Sequence, residues 1–386
     1  MLSELLTATV WLGLLVQAYH YVGYPLLLAL AARLAPRPVR KDAATPKVSL
    51  IISCFNEAAV IRNKLDNSLR LDYPSLEIII NSEGSTDATA EIAKSYEAKG
   101  VVAMHAPGRR GKSAAMNDAV RRASGDILVF SDANIFYRED AISQLVANFA
   151  DPEVGLVTGC KEVRAGSTDA SNPASVESIY WRYENAIKAL ESRIGSTVGV
   201  HGEMLAIRRQ LFEPISPGTV NDDAHLAMTV LARGKRVVFE LNARGWEAPS
   251  RSLTDDATRR QRMTAGRFQI LGRADLLRRL PILTLLMFLS HKALRLVLPL
   301  FALVALAANA VVVMLPDAPL SMWATLLAQL GALVLAALGT YGGRALKSFP
   351  PAKLSAYIVS GYLAGLAGMM RAFRGEQSVL WEKAGR

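Results

Sequence analysis

The side chains of this 386-residue chain that could do chemistry cluster just after apolar runs. Ile127 to Asn134 reads ILVFSDAN, an apolar run that stops abruptly at Ser131, Asp132, Ala133 and Asn134. A carboxylate and an amide two positions apart can take a hard divalent ion that also carries phosphate oxygens. Val48 to Ser53 likewise runs into Cys54, Phe55, Asn56 and Glu57, and Leu76 to Ile80 runs into Asn81, Ser82, Glu83 and then Asp87. Helix capping is the competing reading for each, because Asp and Asn are common at strand-to-helix turns. Capping does not require three such ends together, whereas a nucleotide lying across one edge of a sheet does.

The runs themselves read as buried parallel strands, short and rich in β-formers. Helical patterns near Ala58 to Leu69, Ala88 to Ala98 and Ser113 to Ala123 separate them, a βαβ succession that implies a mostly parallel sheet with right-handed crossovers. In a nucleotide-binding half, the strands ending at Ser53 and Ser131 are neighbours at the switch point, and Glu57, Glu83 and Asp132 surround one crevice. Gly108 to Ser113 (GRRGKS) invites a phosphate-loop reading, but Ala106 stands where that motif needs glycine. It remains a basic, glycine-containing loop opening a helix, suited either to phosphate oxygens or to simple solvation. Farther on, VNDDAHL opens a helix that Gly234 ends, and Asp222 or Asp223 is expected there as N-cap or first-turn acid.

Composition sets the surroundings. At 51% hydrophobic the chain is too apolar for a purely soluble enzyme. Its net charge of +10 fits anionic lipid or a nucleotide diphosphate, and no nucleic-acid module is visible. Leu5 to Ala32 carries no charged side chain and is long enough to span a bilayer, and a signal peptide would want a basic start. Arg33, Arg37, Arg40 and Lys41 follow it, which keeps that side cytoplasmic and the amino terminus outside. Leu296 to Leu315, Ala318 to Gly343 and Leu354 to Met370 are further apolar stretches, the last with Gly361, Gly365 and Gly368 on a small-residue face; it either spans or re-enters. Between them and the soluble region, Arg259 to Arg279 holds seven arginines against Asp275, with Met263, Phe268, Ile270, Leu271, Leu276 and Leu277 interleaved. That composition suits helices in the membrane interface, or a basic solvent face. Cys54 and Cys160 have no metal-like spacing and agree with a reducing compartment.

VSLIISCFNEAAVI, IIINSEGSTDATAEI, GKSAAMNDAV, FSDAN, GEMLAIRRQLF and NDDAHL, in this order, resemble the membrane-bound family 2 glycosyltransferases over Pro46 to Phe268. The flanking membrane arrangement is similar to that of the poly-N-acetylglucosamine and chitin-oligosaccharide synthases. The resemblance implies an α/β GT-A domain (46–257) between a first transmembrane helix (1–34) and, after interface helices (258–292), a membrane region of two or three spans (293–371) with a tail (372–386). It implies donor contacts at Ser53, Phe55, Glu57, Glu83, Lys112, Asn117 and Asp132, with Glu57 and Glu83 on base and ribose and Lys112 on phosphate. Asp132 and Asn134 would hold Mg²⁺ or Mn²⁺, and Asp223 would be the general base. Asp222, Arg259 and Arg262 would lie on the acceptor or diphosphate side.

The expected activity is inverting transfer from a nucleoside-diphosphate sugar, a UDP-sugar first, to a membrane-associated or lipid-linked acceptor at the cytosolic face of a bacterial-type inner membrane, in cell-surface polysaccharide or glycolipid synthesis. Several positions depart from the family pattern: Asn134 replaces a second aspartate, Glu203 stands where a small residue is usual beside the unusual His201, and Met263 replaces the Trp of the processive relatives, with Gln261 out of register. A processive synthase and a non-catalytic membrane subunit that keeps the fold are the rival readings. The helix containing WRYENAIKALES is expected to pack in the core, with Trp181 and Glu184 as possible acceptor contacts.

Overall fold

The structure, a computed structural model, describes residues 1–163, 174–248 and 253–376. Strands β1 (Val48–Cys54), β2 (Leu76–Glu83), β3 (Val101–Ala106) and β4 (Ile127–Asp132) form the parallel half of one eight-stranded sheet. β5 (Phe136–Tyr137), β6 (Val154–Val163), β7 (Leu205–Arg208) and β8 (Arg236–Glu247) complete it in the order β3-β2-β1-β4-β7-β6-β8-β5. β7 is antiparallel to both β4 and β6, and β6 runs parallel to β8. β1 and β4 are neighbours, with Ser53 paired in register to Asp132, while Cys54 pairs with Ser82 of β2. The three polar strand ends therefore meet at one edge, as the βαβ succession implies.

Continuous apolar runs form these strands because both faces are covered. Leu50, Ile52 and Val129 enter one core with Ile61 and Leu65, and Ile51, Leu128 and Phe130 enter the other with Met116 and Leu226. The second core also takes Ile270, Leu276 and Leu280, with Leu271 and Leu277 packed against it. Of the arginine-rich stretch, these apolar side chains therefore face the sheet layer, because the helix Leu253–Leu271 and the turn after it lie on the helix Asp222–Ala232.

Among the described residues three helices are long and apolar enough to cross a membrane: Leu2–Leu34, Ile282–Val312 and Leu320–Tyr341. The last apolar stretch forms the helix Pro350–Arg374, which is not one of them and packs along Leu253–Leu271 and Leu320–Tyr341. Its small-residue face explains this. A Cβ on Gly368 would stand 2.6 Å from the Gln261 carbonyl oxygen, and one on Gly361 2.7 Å from Arg260 Nη1. Gly368→Leu should therefore cost about 1–3 kcal/mol through overpacking, read as a lower melting temperature in detergent. Gly331→Leu is the control, since nothing lies within 4 Å of its Cβ position; equal behaviour of the two variants would contradict the packing.

Two of these long apolar helices join the sheet domain through polar contacts. Each contains a π-helical segment, Tyr19–Gly23 and Leu289–Ala293, and these face each other, with Tyr19 Oη 2.8 Å from Ser290 Oγ. Such bulges turn side chains that a regular helix would aim elsewhere. Here they bring Tyr24 and His291 onto Glu191 of the helix Ala174–Ile194, both at 2.7 Å. Glu184, two helical turns earlier, receives His291 and Lys292 at 3.2 Å and also pairs with Arg295. Glu184 is thus buried, as expected for a packed helix, and joins that helix to the long apolar helices.

Candidate active site

The loops after β1 and β2 clasp each other before any ligand is considered. Asn56, at a left-handed φ of 53°, accepts the Thr86 N–H at 2.8 Å, and Asp87 accepts the Ala58 and Thr89 N–H groups at 3.1 and 3.0 Å. Asp87 is occupied with loop structure in this way. Glu57 is buried beside it, its N–H donating to Thr89 Oγ1 at 2.8 Å. Phe55 lies under the Arg109 guanidinium, 3.9 Å from the ring centroid, so the floor and the basic loop are already in contact. Gly84 permits this approach: its φ is +66° and a Cβ there would meet Arg109 Cβ at 2.8 Å.

Glu83 caps the loop rather than leaving it open. Its Oε2 accepts the Gly111 N–H at 2.7 Å, at the start of the helix Lys112–Arg122, and Arg110 Nε lies 3.4 Å from Oε1. Burial lifts the Glu83 carboxyl above its ordinary range against the pull of those donors. The N–H of the N-cap residue is therefore taken, so the Gly111 amide does not face the crevice as a free donor. Asn117 bonds the backbone of Ile215 at both ends, donating and accepting at 2.9 Å, which turns it toward the 212–220 loop.

Lys112 sits at the centre of the crevice. Its Nζ is 2.8 Å from Asp132 Oδ1 and 3.4 Å from Asp222 Oδ2. Burial works against the charge, but Asp132 and then Asp222 outweigh it and hold the ammonium above its ordinary pKa. Asp222 Oδ2 is buried with no hydrogen bond, and so is Ser53 Oγ on the neighbouring strand. Neither acid is the helix N-cap; that position is Asn221, whose side chain donates to the Met263 carbonyl at 2.9 Å. Of the two expectations for these acids, the N-cap one is corrected and the first-turn one holds: Asp222 faces Lys112, and Asp223 follows with its Oδ1 accepting the Ala224 N–H at 2.7 Å. Burial, then Asp222 and Glu203, push the Asp223 carboxyl up to about 6, against the Ala224 N–H and Lys112. Gly202 makes room for it, since a Cβ there would lie 3.1 Å from Asp223 Cβ.

The metal question is one of donors. Asn134 donates its amide to Glu247 Oε2 at 3.1 Å, and Asp132 is paired with Lys112. Among the described residues no group of three or more His, Cys, Asp or Glu could hold an ion. Asp132 with the Asn134 amide oxygen fits an ion of the magnesium type, which takes one or two protein oxygens and completes its shell from substrate phosphates and water. The fit requires Lys112 to move from Asp132 to the phosphates.

Beside the crevice lies a charged set that sequence spacing did not disclose. Lys161 of β6, fully buried, pairs with Glu203 at 2.7 Å and with Glu247 of β8, and Arg259 Nη1 approaches Glu247 at 3.6 Å. The unusual Glu203 is thereby explained as the partner of Lys161. His201, also buried, meets Lys188 and lies 5.0 Å from the Trp181 ring. Burial and then Lys188 hold the imidazole well below its ordinary pKa, and burial lowers Lys188 to about 7. Arg262 lies on the same helix as Arg259, Leu253–Leu271.

Residues 46–266 match the family described as "Glycosyltransferase like family 2". The chain belongs to that family. Family 2 relatives include the poly-beta-1,6-N-acetyl-D-glucosamine synthase of Staphylococcus aureus (strain COL), 27% identical over 231 residues, which are 58% of this chain and 56% of that protein. The synthase of Staphylococcus epidermidis is 28% identical over 173 residues, 44% of this chain and 41% of its own. The chain thus spans about half the length of the curated relatives it matches. Among solved structures, the mannosyltransferase PcManGT from Pyrobaculum calidifontis, in complex with GDP-Man and Mn²⁺, superposes with a TM-score of 0.74 at 25% identity, covering 95% of this chain and 99% of that one. This family 2 chain therefore has a GT-A-like fold with a mixed, mostly parallel sheet and three long apolar helices.

Proposed function

We propose that this chain moves a sugar from a nucleoside-diphosphate donor to a lipid-linked acceptor at the cytosolic membrane surface, in a single displacement with inversion. The observation that carries it is the row Asp132, Lys112, Asp222 and Asp223 across one edge of the sheet, ending in a carboxyl lifted to about 6. Glu57 and Phe55 would form the nucleoside side and Lys112 would follow the phosphates. Asp132 and Asn134 would hold Mg²⁺ or Mn²⁺, which when bound offsets charge on the leaving diphosphate. The mannosyltransferase in complex with GDP-Man and Mn²⁺ supports this reading. Asp223 would take the acceptor proton, a role that a carboxyl near pKa 6 fills at neutral pH.

Met263 offers no flat aromatic surface for a growing glycan, so products are expected to be short. The test is a screen of UDP- and GDP-sugars against the detergent-solubilised protein with product mass recorded. Consumption of one donor and a short, lipid-extractable product is expected; no consumption of any donor, or a long water-soluble polymer, contradicts the proposal. Sidedness is read by thiol labelling from outside, which should reach a cysteine placed at Asp317 and miss one at Lys347.

A further inference from the structure

We propose that the acceptor is linked to its lipid through a phosphate or diphosphate, held by Arg267 and Arg260 between Asp223 and the membrane helices. This rests on the reading of Asp223 as acceptor base and extends it to the chemical class of the acceptor.

The helix Leu253–Leu271 is seated directly on the acid turn. A Cβ on Gly266 would stand 2.6 Å from Asn221 Oδ1, and the Asn221 amide reaches Met263 from the other side of the contact. Arg267 is the next residue, largely covered, and among the described residues no carboxylate lies at ion-pair distance from its guanidinium. Burial and then Arg295 lower its pKa while Tyr180, Glu184 and Asp223 raise it, which puts the group within electrostatic reach of both the base and the membrane joint. Two helical turns back, about 10 Å along the axis, Arg260 lies over the ring of Tyr357 at 4.0 Å and faces Tyr180 at 5.8 Å. Arg295 of the membrane helix donates to Tyr180 Oη at 2.9 Å.

Two guanidinium groups, Arg260 and Arg295, thus meet one tyrosine where the soluble domain joins the helices Ile282–Val312 and Pro350–Arg374, with Arg267 in electrostatic reach of the same ring. Glu184 is the carboxylate in ion-pair contact with Arg295 and Lys292, and His291 shares it. That leaves Arg267 without a carboxylate partner among the described residues. Covered positive charge without a partner is costly, and a bound anion removes the cost. A planar guanidinium fork is matched to phosphate oxygens. A neutral glycan offers hydroxyl acceptors but no charge to offset these groups, whereas a phosphate at the membrane boundary would leave the attached sugar extending toward Asp223.

The test uses the full chain in neutral detergent and three probes: a synthetic C20 isoprenyl diphosphate, the matching isoprenol and inorganic pyrophosphate. Binding is read by calorimetry. The isoprenyl diphosphate is expected to bind at least tenfold tighter than the alcohol. Arg267→Met should erase that preference and Arg267→Lys should keep part of it. Nucleoside diphosphate binding to each variant, read in the same way, reports that it is folded. Equal binding of diphosphate and alcohol to the unaltered protein overturns the proposal without any variant. Pyrophosphate competing as well as the isoprenyl diphosphate overturns it too, assigning the arginines to a free phosphate or to the donor. If the probe preference holds while no nucleotide sugar is consumed, the transfer reading fails and the anion site stands.

Discussion

Asp223→Asn should lower the rate of sugar transfer by roughly 10² to 10⁴, the usual loss for a positioned general base, while the protein folds and binds nucleotide. The expectation follows from the division of labour at the helix start. Asp222 is engaged with Lys112, and Asp223 is the acid whose carboxyl is raised to about 6 beside Gly202. A base must be ionised, so the rate should rise with pH through about 6 and level off above it, and it should fall as the carboxyl is protonated below. Asp222→Asn should instead weaken the hold on Lys112 and act on donor binding. If Asp222→Asn loses transfer at full donor affinity and Asp223→Asn stays active, the roles are reversed.

Asp132→Ala should abolish both donor binding and turnover. Asp132 stands opposite Ser53 at the junction of β1 and β4 and is the nearer of the two carboxylates that Lys112 touches. Its removal takes away the anchor of a divalent ion and releases Lys112 at once. Chelation should produce the same loss in the unaltered protein, reversed by Mg²⁺ or Mn²⁺. Calorimetric titration of nucleoside diphosphate with and without metal separates the two effects. Full turnover in excess chelator, or normal nucleotide affinity in Asp132→Ala, would remove Asp132 from the donor site.

The parallel half of the sheet was legible because its signal is local: short apolar runs, each ended by a polar cluster, with helices of fitting length between. Adjacency of β1 and β4 followed from that pattern and is what brings Ser53 and Asp132 together. Beyond Asn134 the periodicity weakens, and the β7-β6-β8 order could not be read because its strands pair across distant segments. The same holds for Lys161, Glu203 and Glu247, which meet from three such strands and loops with no shared spacing. Arginine-rich composition pointed to lipid, yet Ile270, Leu276 and Leu280 belong to the second core. Amphipathicity reports that a face is covered and not by what. The glycines of the last helix were visible as a small-residue face, but only its partner, Leu253–Leu271, shows what that face packs against.

The most direct test of sugar transfer by single displacement is to follow the anomeric proton by NMR during the first turnovers with the donor the protein consumes. An α-linked nucleotide sugar should give a β-linked product from the earliest time point, with nucleoside diphosphate released in equal amount and both signals lost in Asp223→Asn. An α-linked first product, or diphosphate release that Asp223→Asn leaves unchanged, would contradict it.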